Sequence, residues 1–236
     1  FDFTRASSAT VVNKDGLIET VGSGEPRIDF SNDAKGALLL EPTRSNLIPY
    51  SEDFSNADWT KSGSSVTGGF ASPSADSSLN AFKLVEDTSN GNHILYKNEN
   101  GISKTFSFFA KSAGNKYVAI SYDGGLNFNF FDIINGQLGN IADSSHTSRI
   151  EDYGNGWFKC SLYNGHINFG ATIWMSKDGI NTSYAGDGTS GIYIYGASLE
   201  QGSYPTSYIP TSGSAVTRTA DACNNSANAQ VINSTK

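Results

Sequence analysis

The sequence predicts an all-β protein, a jelly-roll β-sandwich flanked by extended N- and C-terminal straps. Two observations carry this. Turn formers and aromatics dominate, with 25 Gly, 11 Tyr and 14 Phe in 236 residues, and only 17% of residues are charged. Aromatic side chains suit a pleated, half-buried surface, while Gly, Asn and Ser supply tight turns. Apolar alternation with a period of two recurs in short segments, and no window beyond about ten residues holds the i, i+3, i+4, i+7 spacing of an amphipathic helix. Helix should be minor.

Residues 1–50 read as an extended strap. "ATVVNKDGLIETV" carries a hairpin-type Asp15-Gly16 turn, and "GALLLEPTRSNLIPY" is a short apolar run ended by Pro42 and Pro49. This is too little apolar material for an independent core, so the segment is expected to lie along another domain or a neighbouring subunit. Residues 51–202 form the predicted sandwich. Its strands are expected at 80–86, 92–97, 104–111, 117–122, 127–134, 156–163, 168–176 and 190–200, separated by turn signals such as "AGNK", "DGGL" and "NGQLGN". Residues 203–236 read as an extended exit strap, where Pro205 and Pro210 disfavour a central strand.

Charge narrows the function classes. The net charge is −7 and no basic cluster occurs, which argues against nucleic acid or an anionic membrane as the main partner. No apolar run reaches the ~18 residues of a membrane-spanning helix, and Phe1 does not open a signal peptide. The chain opens mid-pattern at "FDFTRAS" and stops at "NNSANAQVINSTK", so it reads as a piece of something longer. Two cysteines are too few for a disulfide scaffold, and Cys160, alternating with Phe158 and Leu162, reads as a buried strand thiol.

The candidate binding site comes from "GNGWFKCSLYNGHINFGATIWMSKDG". Alternation puts Phe158, Cys160 and Leu162 on one face of the first strand, and Trp157, Lys159, Ser161 and Tyr163 on the other. In the second strand Phe169, Ala171, Ile173 and Met175 oppose Asn168, Thr172, Trp174 and Ser176. A hairpin pairing Tyr163 with Asn168 would set Phe158 against Ile173, Cys160 against Ala171 and Trp157 against Trp174. Two adjacent indoles flanked by Lys159, Tyr163 and Asn168 would make a carbohydrate-stacking surface, widened by Tyr193 and Tyr195. The alternative is packing, in which an aromatic pair stabilises the sheet and "ALLLEP" or "NLIPY" lies over it.

Catalysis finds no support. His93, His146 and His166 match no metal or nucleophile spacing. Glu52–Asp53, Glu86–Asp87 and Glu151–Asp152 are neighbours that point to opposite strand faces, whereas a glycosidase needs two carboxylates across a cleft. No cofactor is expected; were a structural calcium bound, Glu52, Asp53 and Glu200 would be its candidate ligands. "EPTRSN" (Glu41, Arg44, Asn46) and "VTRTAD" (Arg218, Asp221) place Arg and carboxylate side chains on the two straps, suited to charge-assisted stitching.

"FTRASSATVVNKDGLIETV", "EPRIDF", "GALLLEPTRSNLIPYSEDFSNADWTKSG", "RIEDYGNGWFKCSLY" and "GIYIYGASLEQGSYPTSYIPTSGSAVTRTAD" together resemble a module common in bacteriophage tail-fibre, tail-spike and head-fibre proteins, from Phe1 to about Asp221. The resemblance implies a jelly-roll domain similar to carbohydrate-binding modules, framed by straps, in an oligomeric virion appendage where trimers are frequent. "ACNNSANAQVINSTK" looks like the entrance to a following domain. The expected function is non-catalytic: glycan attachment or structural support on a host surface, with a surface polysaccharide, further copies or other virion proteins as partners. The alternatives are a carbohydrate-binding module of a secreted bacterial polysaccharide-degrading protein, and a purely structural virion protein without ligand.

Overall fold

Two six-stranded sheets, antiparallel throughout, face each other across one apolar core. The computed structural model describes residues 2–76, 78–98, 103–121, 125–142, 146–165 and 170–224, and no helix occurs among them. Across the first sheet the order is Gln137–Ile141, Phe128–Asp132, Tyr117–Ser121, Ala171–Ser176, Ile94–Lys97 and Thr60–Ser62. Across the second it is Thr147–Asp152, Phe158–Asn164, Lys104–Ala113, Gly191–Gln201, Ala81–Glu86 and Ser64–Phe70.

Alternation decides what faces inward. From the second sheet Leu84, Phe106, Phe108, Cys160, Leu162, Ile192 and Ile194 meet Leu95, Val118, Ile120, Phe131, Ile173 and Met175 of the first. Each such side chain contributes about 1.5–3 kcal/mol on leaving water. The central strand Lys104–Ala113 is buried at every position from Lys104 to Ala110, because its outer face is covered as well.

The expected tryptophan hairpin does not form. Phe158–Asn164 pairs with Lys104–Ala113 and Thr147–Asp152, so Cys160 lies opposite Phe108 and Ile150 rather than Ala171. Ala171–Ser176 belongs to the other sheet, where Trp174 lies opposite Ile94 and Ala119. The physical reason is simple. Both strands keep their apolar faces on the common core, and they do so from opposite walls.

The straps fold onto the sandwich and onto each other. Ala9–Val12 and Ile18–Val21 form a hairpin whose turn takes Gly16 to a φ of 75°. Asn13 Oδ1 accepts the backbone N–H groups of Asp15 and Leu17 across that turn. Arg44–Asn46 pairs with Val216–Arg218, and Asp2–Thr4 with Ala222–Asn224. Asn46 ties both straps to the second sheet. Its amide donates to the carbonyls of Ala197 and Ile209, while Oδ1 accepts the N–H groups of Ile48 and Leu199. All its hydrogen-bonding capacity is used, as full burial demands.

Candidate functional site

The outer face of the second sheet gathers most of the side chains proposed for sugar contact. Cross-strand register sets them in rows, since residues directly opposite share a face. One row runs Glu151, Lys159, Phe109 and Tyr195; the next runs Lys111, Tyr193, Lys83 and Thr67. The straps divide these rows into a covered half and an open half.

In the covered half, Phe109, Trp157, Tyr195, Tyr208, Ala81 and Ile18 form a second apolar cluster. Phe109 meets the rings of Tyr153 and Tyr208 edge-on, at 4.9 and 6.0 Å. Lys159 is only 3% exposed. Its ammonium donates to the Thr206 carbonyl at 2.6 Å and sits 5.7 Å from the Phe109 ring centre. Beneath the strap a cleft of about 170 Å³ remains, lined by Asp29, Glu41, Glu151, Tyr153, Lys159 and Ser207 among others. Small-molecule pockets usually span roughly 300–1,000 Å³, so this space suits water or a small polar group better than a saccharide.

Neither indole offers a stacking surface. Trp157 is 4% exposed beneath the N-terminal hairpin, and Trp174 is 7% exposed. Trp174 lies on the outer face of the other sheet, packed with Ala119, Phe130, Ile94 and Phe128, the last edge-on at 4.9 Å. The two tryptophans therefore belong to opposite walls, Trp157 immediately before the strand Phe158–Asn164 and Trp174 within Ala171–Ser176, each covered by its own neighbours. Tyr195 is covered too, and its phenol donates to Glu52 at 3.0 Å. Tyr163 is half-buried near one end of its strand, opposite Thr105 and Thr147. Asn168 and His166 lie outside the described residues.

The open half centres on Tyr193. Its ring packs 4.9 Å from that of Phe70, tilted by 51°, and both side chains stay partly exposed. Lys111 and Lys83 flank it on the two adjoining strands. Each ammonium is steadied by one backbone carbonyl, Lys111 by Asn155 at 2.7 Å and Lys83 by Thr189 at 2.8 Å. A lysine ammonium has three donors, so both retain capacity for a ligand. The sequence pointed to Tyr193 but not to Phe70, Lys83 or Lys111, because only the strand register brings them together.

The stitching residues form a buried charge network. Arg27 pairs with Glu41 at 2.7 Å and with Asp221; Arg218 pairs with Glu41 at 2.7 Å, and Arg5 with Asp221 at 3.1 Å. Burial opposes ionisation of Glu41, yet Arg218, Arg27 and the Ser207 hydrogen bonds outweigh it and hold the carboxyl below its ordinary value. Arg44 stays outside this network. Its backbone pairs with Arg218, and its guanidinium lies over the Tyr204 ring at 5.2 Å.

The calcium candidates have separate partners. Glu52 accepts the phenols of Tyr195 and Tyr208 and the Asn80 amide; Asp53 caps Ser55; Glu200 binds Thr206. Among the described residues no three His, Cys, Asp or Glu side chains group as metal ligands. Burial pushes the Glu200 carboxyl up, a shift that Lys159, Thr206 and Arg218 only partly offset. His93 is buried, its ring nitrogens facing the carbonyls of Gly63 and Tyr184 at 2.6 and 3.1 Å. That arrangement is structural.

No protein-family model matches the chain, and no curated protein matches it in sequence.

Proposed function

We propose that the chain is a non-catalytic module of a virion fibre or spike, attaching the particle to a surface glycan. The observation that carries this reading is the partly exposed Tyr193 ring, set between Lys111 and Lys83 on the adjoining strands and packed against Phe70 of the edge strand, beside a strap-covered aromatic cluster. An aromatic ring stacks on the C–H face of a sugar while ammonium donors meet its oxygens. A carbohydrate-binding module of a secreted polysaccharide-degrading protein would use the same surface.

The chain path supports a jelly roll. It runs from Ala81–Glu86 in the second sheet to Ile94–Lys97 in the first, then to Lys104–Ala113 in the second. Tyr117–Ser121, Phe128–Asp132 and Gln137–Ile141 follow in the first, Thr147–Asp152 and Phe158–Asn164 in the second, Ala171–Ser176 in the first and Gly191–Gln201 in the second. Such repeated crossing between walls suits interleaved Greek keys.

The test is a glycan array probed with the parent chain and with Tyr193→Ala, both checked for cooperative thermal unfolding. Binding that disappears in the folded variant supports attachment through this face. Absence of binding by the folded parent overturns it and leaves the second reading, a purely structural virion module. The burial of Trp157 and Trp174 is the specific observation in favour of that second reading. Under either reading Ile28 and Leu40, exposed on the N-terminal strap, suit contact with a second copy in a homo-oligomer such as a trimer; light scattering of the purified chain measures this.

A further inference from the structure

The open row on the second sheet has a chemical bias that glycan attachment alone does not require. It reads Thr67, Lys83, Tyr193 and Lys111, without a carboxylate, in a chain whose net charge is −7. Adjacent strands lie about 4.8 Å apart, so the two lysine positions, one strand to either side of Tyr193, are separated by about 10 Å. That is close to the span of a disaccharide. The ammonium groups are held at the rim by the Asn155 and Thr189 carbonyls, which limits the rotamer freedom lost on binding. Asn155 itself sits in a tight turn, at a φ of 52° between Gly154 and Gly156, so the Lys111 anchor is fixed by backbone geometry.

We infer that the saccharide taken by this face is anionic: a chain of acidic sugars that lays one ring on Tyr193 and Phe70 and presents carboxylates to Lys83 and Lys111. This rests on the attachment reading above and specifies its ligand class. A neutral polysaccharide would gain from the rings but would draw little from two cations set on the strands to either side of Tyr193. An acidic one gains charge-assisted hydrogen bonds at both ends of the contact. The rest of the acidic surface repels such a chain, so binding is confined to this row and weakens with salt.

The experiment is calorimetric titration of the intact chain with hexagalacturonate, its methyl ester, a sialic-acid hexamer and neutral maltohexaose, at low and high salt. Lys83→Gln, Lys111→Gln and Tyr193→Ala are measured alongside. The expected result is binding of at least one acidic oligomer, weakened about tenfold by each lysine substitution, with a parallel loss on esterification if hexagalacturonate is bound. Tyr193→Ala abolishes it at every salt concentration. Equal affinity for the acid and its ester, or binding of maltohexaose alone, overturns the anionic class while leaving attachment intact. Acid binding that survives both lysine substitutions overturns the location. A folded parent that binds none of the four overturns this inference, and silence on a broad glycan array as well overturns the attachment reading beneath it.

Discussion

Arg218 holds Nη1 2.7 Å from a carboxylate oxygen of Glu41, joining the C-terminal strap to the N-terminal one with both side chains nearly sealed from water. Removing one member of a buried pair strands the other, at a cost of about 3–5 kcal/mol. Glu41→Ala should lower stability by that order, because it takes the paired carboxylate from Arg218 and leaves Arg27 with Asp221 alone. The replacement Arg44→Ala, outside the network, should cost under about 1 kcal/mol. Urea unfolding of the two variants measures the contrast.

The same pair sets an acid limit. Glu41 is held below its ordinary value of 4.5, so its contribution is fully present above that value and is lost as pH falls through the folded one. Asp178, drawn down to about 2 chiefly by the backbone N–H of Asn181, behaves alike. Glu200 runs the other way. Burial raises it, so its protonated form favours the fold, and that contribution fades as pH climbs through its folded value. Melting temperatures of the parent and Glu41→Gln should therefore converge as pH drops below about 4.5. A gap that stays constant down to pH 2 would contradict this.

Gly63 is where the chain leaves the edge of one sheet for the edge of the other, at a φ of 60°. A Cβ there would stand 2.1 Å from the Asn92 carbonyl oxygen, a backbone atom that cannot step aside. Gly63→Ala should cost several kcal/mol, well beyond the ~1 kcal/mol of positive φ alone. Gly24→Ala, also at positive φ but with open space around it, supplies the control. Thermal melts of both variants suffice.

Covered indoles and a core thiol give spectroscopic predictions. Single-tryptophan variants retaining Trp157 or Trp174 should emit at short wavelength and resist acrylamide. Cys160 is buried, its thiol pushed up by desolvation, whereas Cys223 is partly accessible on the terminal strand; both are free. Native protein should therefore titrate one thiol quickly with Ellman's reagent and the second only on unfolding.

Alternation made the inner strands legible. The segments expected at 104–111 and 190–200 correspond to Lys104–Ala113 and Gly191–Gln201, and of the inward sets Phe158, Cys160, Leu162, Ala171, Ile173 and Met175 reach the core, while Phe169 lies outside the described residues. The strands Ser64–Phe70, Gln137–Ile141 and Thr147–Asp152 were not anticipated. They are edge strands, largely exposed, and their sequences carry little apolar alternation. Pairing is not legible in the same way, because period two specifies a face but never a partner. Trp157 and Trp174 do point away from the core, as alternation requires; what covers them comes from distant sequence and strand neighbours. The row of Lys83, Tyr193 and Lys111 was hidden for the same reason, since three separate strands contribute one residue each.

The pairing of Asp2–Thr4 with Ala222–Asn224 also has a mechanical meaning. A pull that separates Asp2 from Asn224 loads this ladder from its outer end, so its hydrogen bonds are strained in succession rather than together. Such a zipper yields at low force. Next in line stands the Arg5–Asp221 ion pair, and only behind it the inter-strap ladder of Arg44–Asn46 with Val216–Arg218. The sandwich would feel the load last, after the straps had been peeled away. In a tensioned filament the module is better suited to ride beside the line of force than to transmit it.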